Sequence, residues 1–459
     1  MTPRPAKVFI GAGAGFAADR TDAAIPIVRD LAAQEGPRFL IYETLGERTL
    51  ALSQIERRHH PDRGYNPLLD RFLEPVLADC LRSGIRIVGN FGAANPRAAA
   101  ARIAALARRL GFATVRIAVV EGDDLTTLLS PEQFAARETG WTLLREKPAI
   151  IAANAYLGAA PIAEALAGGA QVVVTGRVAD PSLALGPLIH SFGWALDDWQ
   201  RLAAGTLAGH LLECGSQVTG GYFADPGFKD VPGMDTLGYP IAEIESSGEF
   251  VITKPEGTGG LVDRRTVTEQ LLYEIHDPAA YLTPDVVLDI TDVELAEAGR
   301  NRIRVKGARG KERPETLKAT VCIDSGLLAE AEISYAGPNA AARARLAIDT
   351  VRLRMARRAP GLALRADAIG LVSILGDTAG TSLRQASAEP EDVRIRFAAE
   401  SMQREPLELL NGEVEALYCA GPAGGGGVRT RITPRLASAS CLIERDRVRP
   451  TVSFVDQTP

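Results

Sequence analysis

Short runs of apolar residues alternate through the first half of the chain with longer stretches in which apolar residues recur every three to four positions. The runs at 7–10, 39–42, 85–88, 114–120, 149–152 and 171–174 are dominated by Val, Ile, Leu, Phe and Ala, as in strands buried on both faces of a parallel sheet. Stretches at 22–34, 50–58, 67–83, 96–110, 154–168 and 199–214 carry the helical period. Strand, polar turn and helix, repeated five or six times, predict a parallel sheet with helices on both faces. Past residue 230 the pattern changes. Short extended segments at 239–245, 250–253, 286–293, 302–306, 316–324, 329–334, 369–374 and 393–397 surround one long arginine-rich helix at 339–358, whose charges suit a solvated face. The expected fold is therefore an α/β N-terminal domain, residues 1–240, followed by an α+β C-terminal domain, residues 241–459.

In an open α/β sheet, ligands bind outside the carboxyl ends of the strands, so the polar turns after each run hold the candidate chemistry. The first run leads into Gly11-Ala12-Gly13-Ala14-Gly15, where Gly11, Gly13 and Gly15 let backbone N–H groups approach an anion or form a plain tight turn. The dinucleotide spacing G-x-G-x-x-G is absent, although Glu43 after the second run mimics its ribose-binding acid. The third run ends in Gly89-Asn90-Phe91-Gly92-Ala93-Ala94-Asn95-Pro96. Asn95 and Pro96 suit a helix N-cap and first turn, which leaves Asn90 as the polar contact. Asp123 and Asp124 suit proton transfer, a metal or a solvated turn, and Asn154 follows the fifth run. The sixth ends in Thr175-Gly176-Arg177-Val178-Ala179-Asp180-Pro181-Ser182, where Arg177 offers an anion clamp, Asp180 an acid, and Ser182 or Asp180 a helix cap.

Composition narrows the function classes. With 51 basic and 57 acidic residues the net charge is −6, which argues against nucleic acid as a partner. Five scattered cysteines give neither a disulfide framework nor a zinc ribbon. Residues 1–6 lack a secretory apolar region and no run approaches ~18 apolar residues, so a cytoplasmic protein with no membrane association is expected. There is no G-x-S-x-G elbow, P-loop or H-E-x-x-H helix. No metal ligand set and no cofactor is identified.

On the predicted helix 199–214, His210, Glu213 and Cys214 share one face. His210 can act as acid or base with Glu213 orienting it, or the two can form a structural pair. Cys214 is a nucleophile or a core residue. The following loop contains Tyr222, Phe223, Asp225, Phe228 and Lys229. It is expected to fold over the rim, because its three rings would otherwise expose aromatic surface. Lys229 and Lys254, the latter in Lys254-Pro255-Glu256-Gly257-Thr258-Gly259-Gly260, each suit a carboxylate or phosphate, or are solvated loop lysines.

The runs at 175–182, His210-Leu211-Leu212-Glu213-Cys214-Gly215, Thr219-Gly220-Gly221-Tyr222-Phe223-Ala224-Asp225-Pro226, 89–96 and 254–260 resemble the acyclic terpene utilisation family, the AtuA-like proteins of citronellol and geraniol catabolism. The resemblance implies catabolism of a branched acyl-CoA or carboxylic intermediate. Its candidate chemistry is hydration, dehydration or retro-aldol cleavage, CoA being part of the substrate. The alternative is a non-catalytic acyl-CoA-binding subunit working with a small companion protein. A homo-oligomer is expected. In this reading the catalytic residues are His210, Glu213 and Asp180. The substrate-binding residues are Gly11, Gly13, Gly15, Asn90, Asn154, Arg177, Ser182, Tyr222, Asp225 and Lys254. Arg177, Asp180, the glycines at 11–15 and Asn90 are expected to share one pocket.

Overall fold

The computed structural model describes residues 5–140, 142–146 and 149–455; residues 1–4 of the amino-terminal reading lie outside them. Five strands form the parallel centre of a ten-stranded sheet, in the spatial order Lys7–Gly15, Arg38–Glu43, Arg86–Gly89, Val172–Thr175 and Ile117–Glu121. Beside the first, Ile241–Glu245, Phe250–Thr253, Ile303–Lys306 and Glu294–Glu297 continue the sheet antiparallel, and Thr451–Phe454 closes the far edge against Ile117–Glu121. The change of pattern near residue 240 is thus a change of strand direction within one sheet. Compactness groups the chain up to Cys322 with the stretch from Ser438 onward, and makes Ile323–Ala437 a second unit.

Successive strand residues point to opposite faces. Phe9, Leu40, Ile87, Ile117 and Val174 join one core, covered by the helices Ala24–Ala32, Leu77–Ser83 and Pro96–Arg109. Val8, Ile10, Ile41, Val88, Ala118 and Val173 are buried on the other face, where Ala160–Ala167, Ser182–Phe192 and Trp199–Glu213 pack. The Pro96 helix starts as its sequence requires, with the Asn95 side chain accepting from Ala98 N at 3.3 Å.

Two expectations are corrected. Residues 11–15 are not a turn: they complete the first strand, Gly11 pairing with Leu40 and Gly15 with Glu43, with a register shift between Ala12 and Ala14. The strand ladder overrides glycine's turn preference, and the missing side chains admit neighbours. A Cβ on Gly11 would lie 2.3 Å from Ile27 Cγ2, and one on Gly13 2.7 Å from the Tyr42 ring. The fifth apolar run, found as Ile150–Ala155, is absent from the large sheet and pairs with the Thr316–Ala336 strand, Tyr156 N donating to Lys318 O at 2.8 Å. Apolar content alone does not specify a strand's partner.

In the second unit, antiparallel strands alternate inward residues such as Ala331, Ile333, Ile395 and Phe397 with outward polar ones. The long helix Ala340–Arg358 buries Ala344, Ile348 and Val351 against that face. Arg354 and Arg358 lie exposed on its outer face and both bond the buried Glu413 carboxylate.

Backbone approach at Gly15 fixes the end of the first strand against the chain leaving the Trp199–Glu213 helix, because a Cβ there would meet Cys214 C and Gly215 N at 2.2 Å. Gly15→Ala is predicted to cost about 1–3 kcal/mol, as overpacking against backbone does. Gly412→Ala, in an exposed helix interior with nothing within 4 Å, should gain about 0.5–1 kcal/mol. Urea unfolding midpoints of the two variants should therefore move in opposite directions, and a lowered midpoint for both would refute the contrast.

Candidate functional site

A cavity of about 900 Å³ opens where the first two parallel strands end at Gly15 and Glu43 and where Arg177 and Asp180 follow the Val172–Thr175 strand. Arg177 organises it. Its backbone is fixed first: Asp123 Oδ2 accepts from Arg177 N at 2.9 Å and from Asn154 Nδ2 at 2.8 Å. A Cβ on Gly176 would strike that carboxylate at 2.7 Å. Asp123 is thus a buried clamp between strand ends, raised to about 6 by burial. Asp124 caps its own turn, accepting from Thr126 N at 3.0 Å. Among the described residues no cluster of three or more His, Cys, Asp or Glu side chains is placed to hold a metal.

The Arg177 side chain is 1% exposed. Its guanidinium donates to Val178 O from Nε at 2.8 Å, to Leu45 O and to the Asp180 carboxylate, and lies 4.5 Å from the centroid of the Tyr156 ring. Glu43 stands nearby, its Oε1 accepting from Leu45 N and Asn90 Nδ2, both at 2.9 Å. Burial, reinforced by the Asp180 charge and opposed by Arg177, raises the Glu43 carboxyl to about 8. Burial raises Asp180 as well, against the pull of Arg177. Glu47 differs: burial is outweighed by the Tyr156 hydroxyl, donating at 2.6 Å, and by Lys318 at 3.4 Å, which hold it at about 2.

On another part of the wall, Glu213 Oε1 lies 2.8 Å from His210 Nδ1. Burial raises Glu213 to about 7 while His210 opposes it. For His210, burial favours the neutral ring but Glu213 outweighs it, so its proton affinity rises. Among the described residues, His210 Nε2 and Glu213 Oε2 have no hydrogen-bond partner. The expected order of the pair is reversed: Glu213 lines the cavity, whereas His210 is 1% exposed, sits behind it and packs on the Tyr281 ring at 5.6 Å. Helical spacing brought the two together without determining which one faces the ligand. Cys214 lines the cavity too, but burial and then Glu213 push its thiol far up, away from the thiolate that a nucleophile needs.

Of the other expected residues, Gly15, Arg177, Asp180 and Tyr222 line the cavity; the rest do not. Gly11 and Gly13 face the core. Asn90 is fully buried behind Glu43, its Oδ1 accepting from Thr44 N at 2.7 Å. Asn154 is spent on Asp123. Ser182 does not cap its helix; it donates to Asp285 Oδ2 at 2.6 Å, and Pro181 occupies the cap position. Lys254 Nζ closes its own loop on Thr258 O at 2.7 Å. Asp225 is exposed in a tight turn, bonded through its backbone to Lys229. The loop does not bury its rings: Phe223 is 5% exposed, but Tyr222 is 85% and Phe228 83%. Tyr222, in the left-handed region (φ 55°), stands at the cavity rim with its ring edge-on to Tyr273 at 6.4 Å. Sequence reasoning missed Glu47, Lys318 and Tyr281, which reach the cavity from distant segments and carry no local signal.

The raised Glu43 makes stability depend on pH. A carboxyl lifted from its ordinary 4.5 to about 8 contributes stability in full below about pH 4.5, and loses it as pH rises through about 8. Gln can keep the bonds from Leu45 and Asn90 without ionising. Thermal midpoints measured from about pH 5 to about pH 9 should therefore fall less steeply for Glu43→Gln than for the parent; parallel curves would contradict the assignment.

The family model for the acyclic terpene utilisation family protein AtuA matches residues 8–454. Comparison with curated proteins and with solved structures gave no match. Among the described residues no helix is long and apolar enough to cross a membrane. A match running from the first strand of the large sheet to its last means that the chain belongs to the acyclic terpene utilisation family.

Proposed function

We propose that the chain is a cytoplasmic enzyme of acyclic terpene or related branched-chain catabolism, acting by general acid and base catalysis on an acyl-CoA or branched carboxylic intermediate. The observation that carries this reading is two carboxyl groups lining one cavity with different partners, Glu43 beside Arg177 and Asn90 and Glu213 bonded to His210, each lifted above the ordinary carboxyl range by burial. Carboxyl groups whose proton affinities are set by different surroundings can divide the roles of acid and base between them.

In hydration, Glu213 takes a proton from water as the oxygen adds to the β-carbon, and Glu43 delivers a proton to the α-carbon; dehydration is the reverse. In retro-aldol cleavage the same base takes the β-hydroxyl proton, the bond between the α- and β-carbons breaks into a carbonyl and an enolate, and the same acid protonates the enolate carbon. His210 bonds one Glu213 oxygen and supports its ionisation. Asp180 neutralises Arg177, whose guanidinium also bonds the Leu45 backbone in the cavity wall and the Val178 backbone behind it.

The test is turnover of branched β-hydroxy and enoyl thioesters, followed by enoyl absorbance and by mass spectrometry of cleavage products. kcat/KM should rise as pH passes about 7, where Glu213 ionises, and fall beyond about 8, where Glu43 loses its proton. Glu213→Gln and Glu43→Gln should each lower kcat by about 10²- to 10⁴-fold and leave binding within a few-fold. Binding without turnover by the parent protein would instead assign it the role of a carrier subunit dependent on a partner.

A further inference from the structure

Six carboxyl side chains line the cavity: Asp19, Glu43, Glu47, Asp180, Glu213 and Glu274. Arg177 and Lys318 are the arginine and lysine residues among the lining residues, and each already faces a carboxylate, Arg177 that of Asp180 and the half-exposed Lys318 that of Glu47. The Arg177 guanidinium is spent on Val178 O, Leu45 O and Asp180, with its remaining face on Tyr156. Lys318 Nζ lies 3.4 Å from Glu47 Oε1 and 4.8 Å from the centre of the same ring. Tyrosine carries no positive charge in either protonation state, and the Tyr156 hydroxyl is already donated to Glu47. His276 is the remaining basic side chain of the lining, and its Nδ1 is engaged with Glu274 O at 3.4 Å.

We propose that this cavity selects the uncharged form of its substrate, accepting a branched acyl group whose carboxyl is masked as a thioester and rejecting the corresponding free carboxylate. This rests on the reading above that the cavity is the reaction site, and it narrows that reading from acyl thioesters or free acids to thioesters. The expectation that Arg177 clamps a substrate anion gives way to its opposite. A free carboxylate here would be a like charge among carboxylates in a partly desolvated space, and like charges in one site disfavour ionisation. For the same reason the phosphates of a CoA carrier stay outside the cavity, and the carrier reaches in only through its uncharged pantetheine arm.

The probes are the N-acetylcysteamine thioester of 3-methylbut-2-enoic acid, the CoA thioester of the same acid and the free acid, with affinity measured by calorimetry on the full chain. At about pH 8 both thioesters should bind at least roughly 100-fold more tightly than the free acid, the effect of one uncompensated charge contact. The gap should narrow as pH falls toward the acid's own pKa, where its neutral form appears. Glu47→Gln, which removes a charge held ionised at about 2 and frees Lys318, should improve free-acid binding relative to thioester binding. Equal or tighter binding of the free acid at about pH 8, or no binding of any of the three at millimolar concentration, would overturn the proposal. Preferential thioester binding with no turnover would leave it standing and refute the proposed catalysis alone.

Discussion

A guanidinium removed from water is the constraint on which the site depends. Arg177 cannot lose its proton, so the fold has to surround a permanent buried charge with partners. It does so with two backbone carbonyls, the Asp180 carboxylate and the face of Tyr156. The partners are anchored in turn: Asp123 pins the Arg177 backbone, and Glu43 is held by Leu45 and Asn90. Removing one member would leave a buried charge uncompensated, which costs far more than an exposed ion pair contributes.

The same constraint sets the chemistry. One guanidinium and one lysine do not neutralise six carboxyl groups, so burial and mutual repulsion keep protons on some of them near neutral pH. Glu43 and Asp180 share the field of Arg177, and burial lifts both carboxyls above their ordinary range, Glu43 to about 8. Glu47 shows the converse: with a phenol and a lysine directed at it, burial alone does not keep it protonated. Neighbouring carboxyls separate into acid and base through what each one touches.

The parallel sheet was legible because strands buried on both faces need uninterrupted apolar runs, and these recur with helical stretches between them. Arg177 and Asp180 were legible for a topological reason, since polar residues just after a parallel strand fall on the binding rim. Glycine composition misled at 11–15, where pairing with a neighbouring strand decides the conformation and is invisible in the local sequence. Asn90, Asn154 and Ser182 were polar and well placed, yet each is spent on another protein group, a distinction that depends on partners far along the chain. Lys318 meets Glu47 across 271 positions, and no local pattern encodes that contact. The helical spacing of His210 and Glu213 predicted their bond correctly but not the direction in which the pair faces.

A site built in this way requires that a carboxyl group in the cavity keep its proton at neutral pH. Infrared difference spectroscopy of the parent protein against Glu43→Gln, titrated from about pH 5 to about pH 10, measures it directly. The expected spectrum has a protonated-carboxyl carbonyl band that is present at about pH 7, absent from the variant, and converted to a carboxylate signal with a midpoint near 8. A Glu43 carboxylate signal already complete by about pH 6 would contradict it.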